Sequence, residues 1–355
     1  MLCALGILSA LLSVCSATRL LSVSISAPTS SDDVTGLEVV TTVTNTGNET
    51  LKLLNNPMSV LSKWATDSFE VHNGDGVAAE FNGLFVRYNP EHAVKSNDAS
   101  EFVVLTPGAS FEVAHEVGNF YNFTNAGPGA FTFKPSNIFQ AVELDGSLTT
   151  IEASVDGVET SLTGKLASSK FVSPASAGGA TVGAPSGLQK RATYRSNCSP
   201  NRRALNNQAI PAAARLASNA VSHLRGHPSG SALQTTWYGT FARSRYEVTL
   251  RSLNALRTAP AGWTYDCSCT DPRKYAYVYK SDYGVVYLCG GYWQVATTGP
   301  GSRADTLIHE GTHFNRILGT NDYAYGQSSC KTLARSNPNN AVYNADNHAF
   351  FSDFA

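Results

Sequence analysis

Between residues 19 and 137 the apolar positions come in short runs that alternate with polar ones. Leu37 to Thr44 is dense in β-branched residues and stops at the turn cluster Asn45-Thr46-Gly47-Asn48. Around Phe111, Val113, His115 and Val117 the period is two, with His115 as the polar exception. Short runs separated by Gly, Asn, Asp and Pro predict strands, and together an all-β, sandwich-like unit. Ser154-Val155-Asp156-Gly157-Val158 predicts one more hairpin, turning at Asp-Gly. Further along the chain the period changes. Residues 204–225 and 229–257 carry helical patterns, the second with Trp237, Tyr238 and Phe241, while 262–293 read as short strands rich in Tyr and Val. Residues 302–355 read as three helical segments. The pattern therefore predicts a β-rich front half and an α+β rear half, mainly helical with a small sheet.

The ends and joints of these halves suggest how the chain is handled. Residues 1–17, MLCALGILSALLSVCSA, are apolar and end in small residues, which predicts a signal peptide. This is the only long apolar stretch, so a membrane-spanning protein is not expected. Of residues 173–187, 13 of 15 are Ser, Ala, Gly or Pro, a composition that cannot bury a face and predicts a linker. Directly after it come Lys190 and Arg191, a dibasic pair accessible to a processing protease. Residues 18–166 then read as a prosegment, 167–191 as the linker ending in the processing site, and 192–355 as the mature domain.

Charge supports the same division. The 355-residue chain carries a net charge of only −1, but residues 1–191 hold 10 Lys+Arg against 18 Asp+Glu, and 192–355 hold 16 against 9. Opposite fields of −8 and +7 suit two parts that dock on one another. At 42% hydrophobic and 15% charged residues, the chain is too apolar to be disordered throughout. The triplets at Asn48, Asn122 and Asn197 match the glycosylation acceptor pattern and suit a secreted, extracellular protein. Nothing in the sequence points to nucleic acid.

The rear half has five cysteines, Cys198, Cys267, Cys269, Cys289 and Cys330. Oxidation is expected in a secreted domain, and the odd number leaves one over. On a strand, Cys267 and Cys269 point to opposite faces and need different partners. The front half has no cysteine beyond the signal peptide, which excludes latency through a cysteine capping a metal.

The chemistry concentrates in Thr306-Leu307-Ile308-His309-Glu310-Gly311-Thr312-His313. Two histidines four apart on a helix share a face, so both imidazoles reach one Zn2+ ion, and the glutamate beside the first sits where it can take a proton from an attacking water. Ser302-Arg303-Ala304-Asp305 resembles a capping box with Asp in place of Glu, and Gly319 is a natural helix stop. Zinc needs a third protein ligand. No glutamate follows Glu310, so the oxygen candidates downstream are Asp322, Asp346 and Asp353. Asp322, after a Gly-Thr bend, is the best placed of them.

His309-Glu310-Gly311-Thr312-His313 followed by Gly319-Thr320-Asn321-Asp322-Tyr323-Ala324-Tyr325-Gly326 resembles the aspzincins, the deuterolysin-type fungal metalloendopeptidases, and most of all the peptidyl-Lys metalloendopeptidases. The resemblance covers 192–355 and implies a zincin-like fold with a single zinc held by His309, His313 and Asp322. It implies Glu310 as general base and Tyr325 as hydrogen-bond donor to the developing oxyanion. It further implies the disulfides Cys198–Cys267 and Cys269–Cys289, with Cys330 a buried thiol, and protein or peptide substrates. The prosegment becomes an intramolecular inhibitor or chaperone. In the Lys-specific relatives two acids receive the lysine on the C-terminal side of the scissile bond. Asp346 matches the first, but Ala349 stands where the second is expected. A broad-specificity protease is the alternative, and a catalytically dead binding protein is disfavoured by the intact Glu310.

Overall fold

The computed structural model describes residues 18–168 and 191–355. The expected signal peptide, Lys190 and most of the expected linker lie outside the described residues, and Arg191 is exposed. Among the described residues no helix is long and apolar enough to cross a membrane.

Among the described residues the regular structure of the front half is mainly β, in three four-stranded sheets that share a core and one two-stranded sheet. Alternation works as the pattern predicts. In the strand Val39–Asn45, every other residue (Val39, Thr41, Val43, Asn45) is buried. Phe123, Phe131, Phe133 and Phe139 fill the centre. His115 is buried too, with its Nε2 3.1 Å from Thr41 Oγ1. Burial lowers its pKa to about 4, so it packs as a neutral ring and can occupy an inward position in the alternation. The Asp156-Gly157 hairpin does not form. Ser154–Val155 pairs with Leu21–Ser26 in one sheet, whereas Val158–Lys165 pairs in another, so the Asp-Gly turn passes the chain between sheets.

The rear half is mixed α/β. Its first helix, Pro200–Gly226, is capped by Ser199 and buries a stripe of small residues, Ala209, Ala213, Ala217 and Ala220. Small side chains let the backbone of the motif helix, Arg303–His313, approach closely. The expected helix over 229–257 is two helices, Ala232–Tyr238 and Arg243–Leu256. Gly239 separates them at φ 72°, and a Cβ there would run into the Ala334 carbonyl oxygen. Residues 302–355 form four helices rather than three, because Pro338 starts a short one, Pro338–Val342, between Gln327–Ser336 and Ala345–Phe354. Cys198–Cys267 and Cys269–Cys289 are disulfides, and Cys330 is a buried free thiol. The first bridge ties the start of the long helix to the end of the strand Thr264–Asp266, and the second ties the chain just beyond that strand to the end of the strand Val285–Leu288. They span sequence separations of 69 and 20.

One strand belongs to neither half cleanly. The rear sheet has five strands, and its last, Phe85–Arg87, comes from the front half. It runs antiparallel to Ala276–Val278, with Arg87 opposite Ala276, Val86 opposite Tyr277 and Phe85 opposite Val278. Strand addition covers an otherwise open edge of the sheet. Phe85 packs into the rear core, against the His313 ring at 4.9 Å between centroids.

Candidate active site

The motif helix is buried along all 11 residues. Ser302 Oγ caps it by accepting the Asp305 N–H at 3.2 Å. The reciprocal half of the expected capping box is absent, because the Asp305 carboxylate turns instead to the Gly301 N–H and to Arg87. One helical turn brings His309 Nε2 and His313 Nε2 to 3.1 Å. Gly319, at φ 73°, folds the chain back, with its N–H bonded to the Thr312 carbonyl at 3.0 Å. That return places Asp322 Oδ1 3.3 Å from each of the two Nε2 atoms.

This triangle fits zinc. Tetrahedral coordination at ordinary Zn–N and Zn–O lengths puts ligand atoms about 3.3 Å apart. Each histidine is oriented from behind, His309 Nδ1 by Asp346 Oδ1 at 2.7 Å and His313 Nδ1 by the Thr320 carbonyl at 2.9 Å, so both Nε2 atoms face the centre. Asp322 Oδ1 is buried with no hydrogen-bond donor of its own. Burial alone would raise the Asp322 carboxyl, but His313 and His309 outweigh it and hold the group well below the usual range. Burial alone would keep His309 neutral, yet the two carboxylates push it up to about 10. A cluster that draws a proton this strongly is one that favours a cation.

Glu310 is fully buried beside the triangle, and burial lifts its pKa to about 8. Its Oε1 accepts the Arg87 N–H at 3.0 Å, and its Oε2 has no partner. Tyr325 Oη donates to the Val86 carbonyl at 2.7 Å, and Asp322 Oδ2 accepts the Val86 N–H at 3.1 Å. Asp346 is buried rather than solvated. Besides His309 it holds the Gly326 N–H, through Oδ2 at 2.9 Å, and pairs with the Arg87 guanidinium. His309, Glu310, His313, Asp322, Tyr325 and Asp346 thus converge around one peptide bond, Val86–Arg87.

Two participants escaped the sequence. Phe85–Arg87 is a three-residue strand with no periodicity to mark it, and Asp305 carries the ordinary signature of a helix cap. The only advance signals were an arginine in an otherwise acidic segment and a cap residue with the wrong acid.

Known proteins are similar to this chain in sequence. A family model described as lysine-specific metallo-endopeptidase, of the aspzincin M35 group, matches residues 223–353. A peptidyl-Lys metalloendopeptidase of Armillaria mellea is 41% identical over 336 residues, covering 94% of this chain and 91% of its own. The chain belongs to the aspzincin family. A peptidyl-Lys metalloendopeptidase of Grifola frondosa is 38% identical to this aspzincin, covering 94% of the chain and 92% of its own. More distantly, an extracellular protease of Aeromonas hydrophila is 26% identical over 332 residues. This aspzincin is therefore a zinc metalloendopeptidase, with one zinc ion as its cofactor.

Proposed function

We propose that this aspzincin is made as a latent precursor of a secreted endopeptidase, which cleaves peptide bonds with a basic residue, lysine first, on their C-terminal side. One observation carries this: the Val86–Arg87 peptide lies across the site as a substrate bond would. Its carbonyl oxygen is on Tyr325, its N–H on Glu310, and the side chain that follows it on Asp346.

His309, His313 and Asp322 would hold the zinc. When bound, the ion supplies Lewis-acid polarisation of the scissile carbonyl and of water. Glu310 takes the proton of the attacking water. The Arg87 nitrogen, 3.0 Å away, marks where that proton is handed to the leaving amine. Tyr325 donates to the carbonyl oxygen as it gains charge. Tyr325→Phe should therefore lower kcat about a hundredfold with KM little changed. A drop in kcat/KM carried by KM alone would contradict that role.

Residues 18–166, a sandwich-like prosegment, support latency by placing Phe85–Arg87 where substrate must lie. Cleavage at Lys190-Arg191 would release the strand from covalent tethering, and the signal peptide, glycosylation triplets and disulfides suit export. The names of the two fungal relatives favour lysine, and Asp346 is a buried carboxylate that receives a basic side chain. The test is digestion of a mixed peptide library by the processed enzyme, with zinc measured in parallel. Lysine should dominate the new N-termini, and a chelator should abolish cleavage. Apolar residues in that position, or chelator-resistant turnover, would overturn the proposal.

A further inference from the structure

Ala349 is buried and apolar where the Lys-specific relatives are expected to carry a second acid, yet the pocket is not short of charge. The Arg87 guanidinium is fully buried there between two helices. Its Nη1 pairs with Asp346, in the first turn of Ala345–Phe354, and its Nη2 pairs at 2.8 Å with Asp305 Oδ2, in the first turn of Arg303–His313. We propose that Asp305 is the second carboxylate of the pocket that receives the side chain following the scissile bond, and that the Asp305–Asp346 pair admits arginine there as well as lysine. The proposal rests on the catalytic reading above and adds the pocket's second acid and its substrate class.

The geometry of the pair suits a guanidinium. Two carboxylates from different helices meet two different Nη atoms of one planar group, the fork that arginine presents and lysine does not. The Phe350 ring lies 5.5 Å from the guanidinium carbon, close enough for a cation–π contact. Acid capacity remains beyond these contacts. Asp305 Oδ1 is buried without a partner, as are both carboxylate oxygens of Asp353, seven residues after Asp346 on the same helix. Burial, with Asp305 nearby, raises Asp353 to about 8. A neutral side chain entering here would leave two buried carboxylates uncompensated, whereas a buried cation paired on both sides satisfies them. The acid lost at position 349 is thus replaced from the facing helix.

The test uses the processed enzyme, made from the full-length chain, on peptides that differ only in the residue after the scissile bond: Lys, Arg, citrulline or Met. Cleavage before Arg should run within about tenfold of Lys in kcat/KM, and citrulline, arginine's neutral isostere, about a hundredfold or more below Arg. Asp305→Asn should lower the Arg-to-Met ratio about tenfold or more with zinc still bound, and adding Ala349→Glu should restore part of the Lys signal. Because Asp305 also holds the Gly301 N–H, the Arg–citrulline comparison on the unaltered enzyme keeps the test independent of that variant's folding. Cleavage before Lys with none before Arg, or equal rates for Arg and citrulline, would overturn the Asp305 pocket while leaving the peptidase intact. Failure to cut before either basic residue, with the Met peptide still cleaved, would overturn the basic-residue specificity as well.

Discussion

Glu310→Gln is expected to leave the processed enzyme folded, zinc-loaded and almost silent, with kcat down about a thousandfold or more. Glutamine keeps the shape of the side chain and an oxygen that can accept an N–H, as Glu310 Oε1 accepts that of Arg87. It loses the one thing the reaction needs, a carboxylate that can gain a proton and give it up. Burial already makes the charged form of Glu310 costly, so removing that charge should not harm stability. His309, His313 and Asp322 are untouched, so metal content should stay at one zinc per chain. Turnover near the parent level would mean that another group is the base.

The second large effect concerns the strand in the cleft. In a chain made unprocessable by Lys190→Ala/Arg191→Ala, adding Arg87→Ala should raise peptidase activity about a hundredfold. Removing one partner of a buried ion pair costs about 3–5 kcal/mol, and here it strips Arg87 from both Asp305 and Asp346. The strand keeps its backbone pairing to Ala276–Val278 but loses the anchor that seats it. Arg87→Lys should keep most of the latency, because an ammonium still meets the acids. The contrast between the two variants separates loss of charge from general loosening. Equal activation by both would assign latency to the rest of the prosegment.

The direction of this contact was not foreseeable from net charge. An acidic front half docking on a basic rear half is what the balance of −8 and +7 suggests. At the site the signs are reversed: a front-half cation, Arg87, enters a pocket of rear-half acids. Long-range fields are screened over roughly 10 Å in salt, whereas a buried pair is not, so added salt should weaken encounter more than the seated strand.

Much of the site was legible because its chemistry is local. Two histidines at helical spacing, a glycine bend and an aspartate fix one another's positions over 14 residues, His309 to Asp322, and the resemblance supplied Tyr325 and the cysteine pairs. Strands such as Val39–Asn45 were legible because alternation is imposed by burial on one face. What escaped is non-local. Phe85–Arg87 pairs with a strand nearly two hundred residues away and has too few positions to show a period. The Asp156-Gly157 turn looks the same whether it closes a hairpin or passes between sheets. Gly239 and Pro338 are breaks visible in the sequence, but the apolar period continues across both and masks them. Asp305 satisfied a capping pattern, and only the arriving arginine shows its second use.

The most direct test is to assay zinc and activity together in the uncleaved Lys190→Ala/Arg191→Ala chain. The ligand triangle is already closed in the presence of Phe85–Arg87, with His309 oriented by Asp346, His313 by the Thr320 carbonyl, and Asp322 Oδ1 facing both Nε2 atoms. The expected result is one tightly held zinc per chain together with little hydrolysis of a Lys-containing peptide, and activity appearing when Arg87→Ala is added. A zinc-loaded uncleaved chain as active as the processed enzyme would contradict a cleft filled by its own strand, and an uncleaved chain unable to hold zinc would contradict a site assembled before processing.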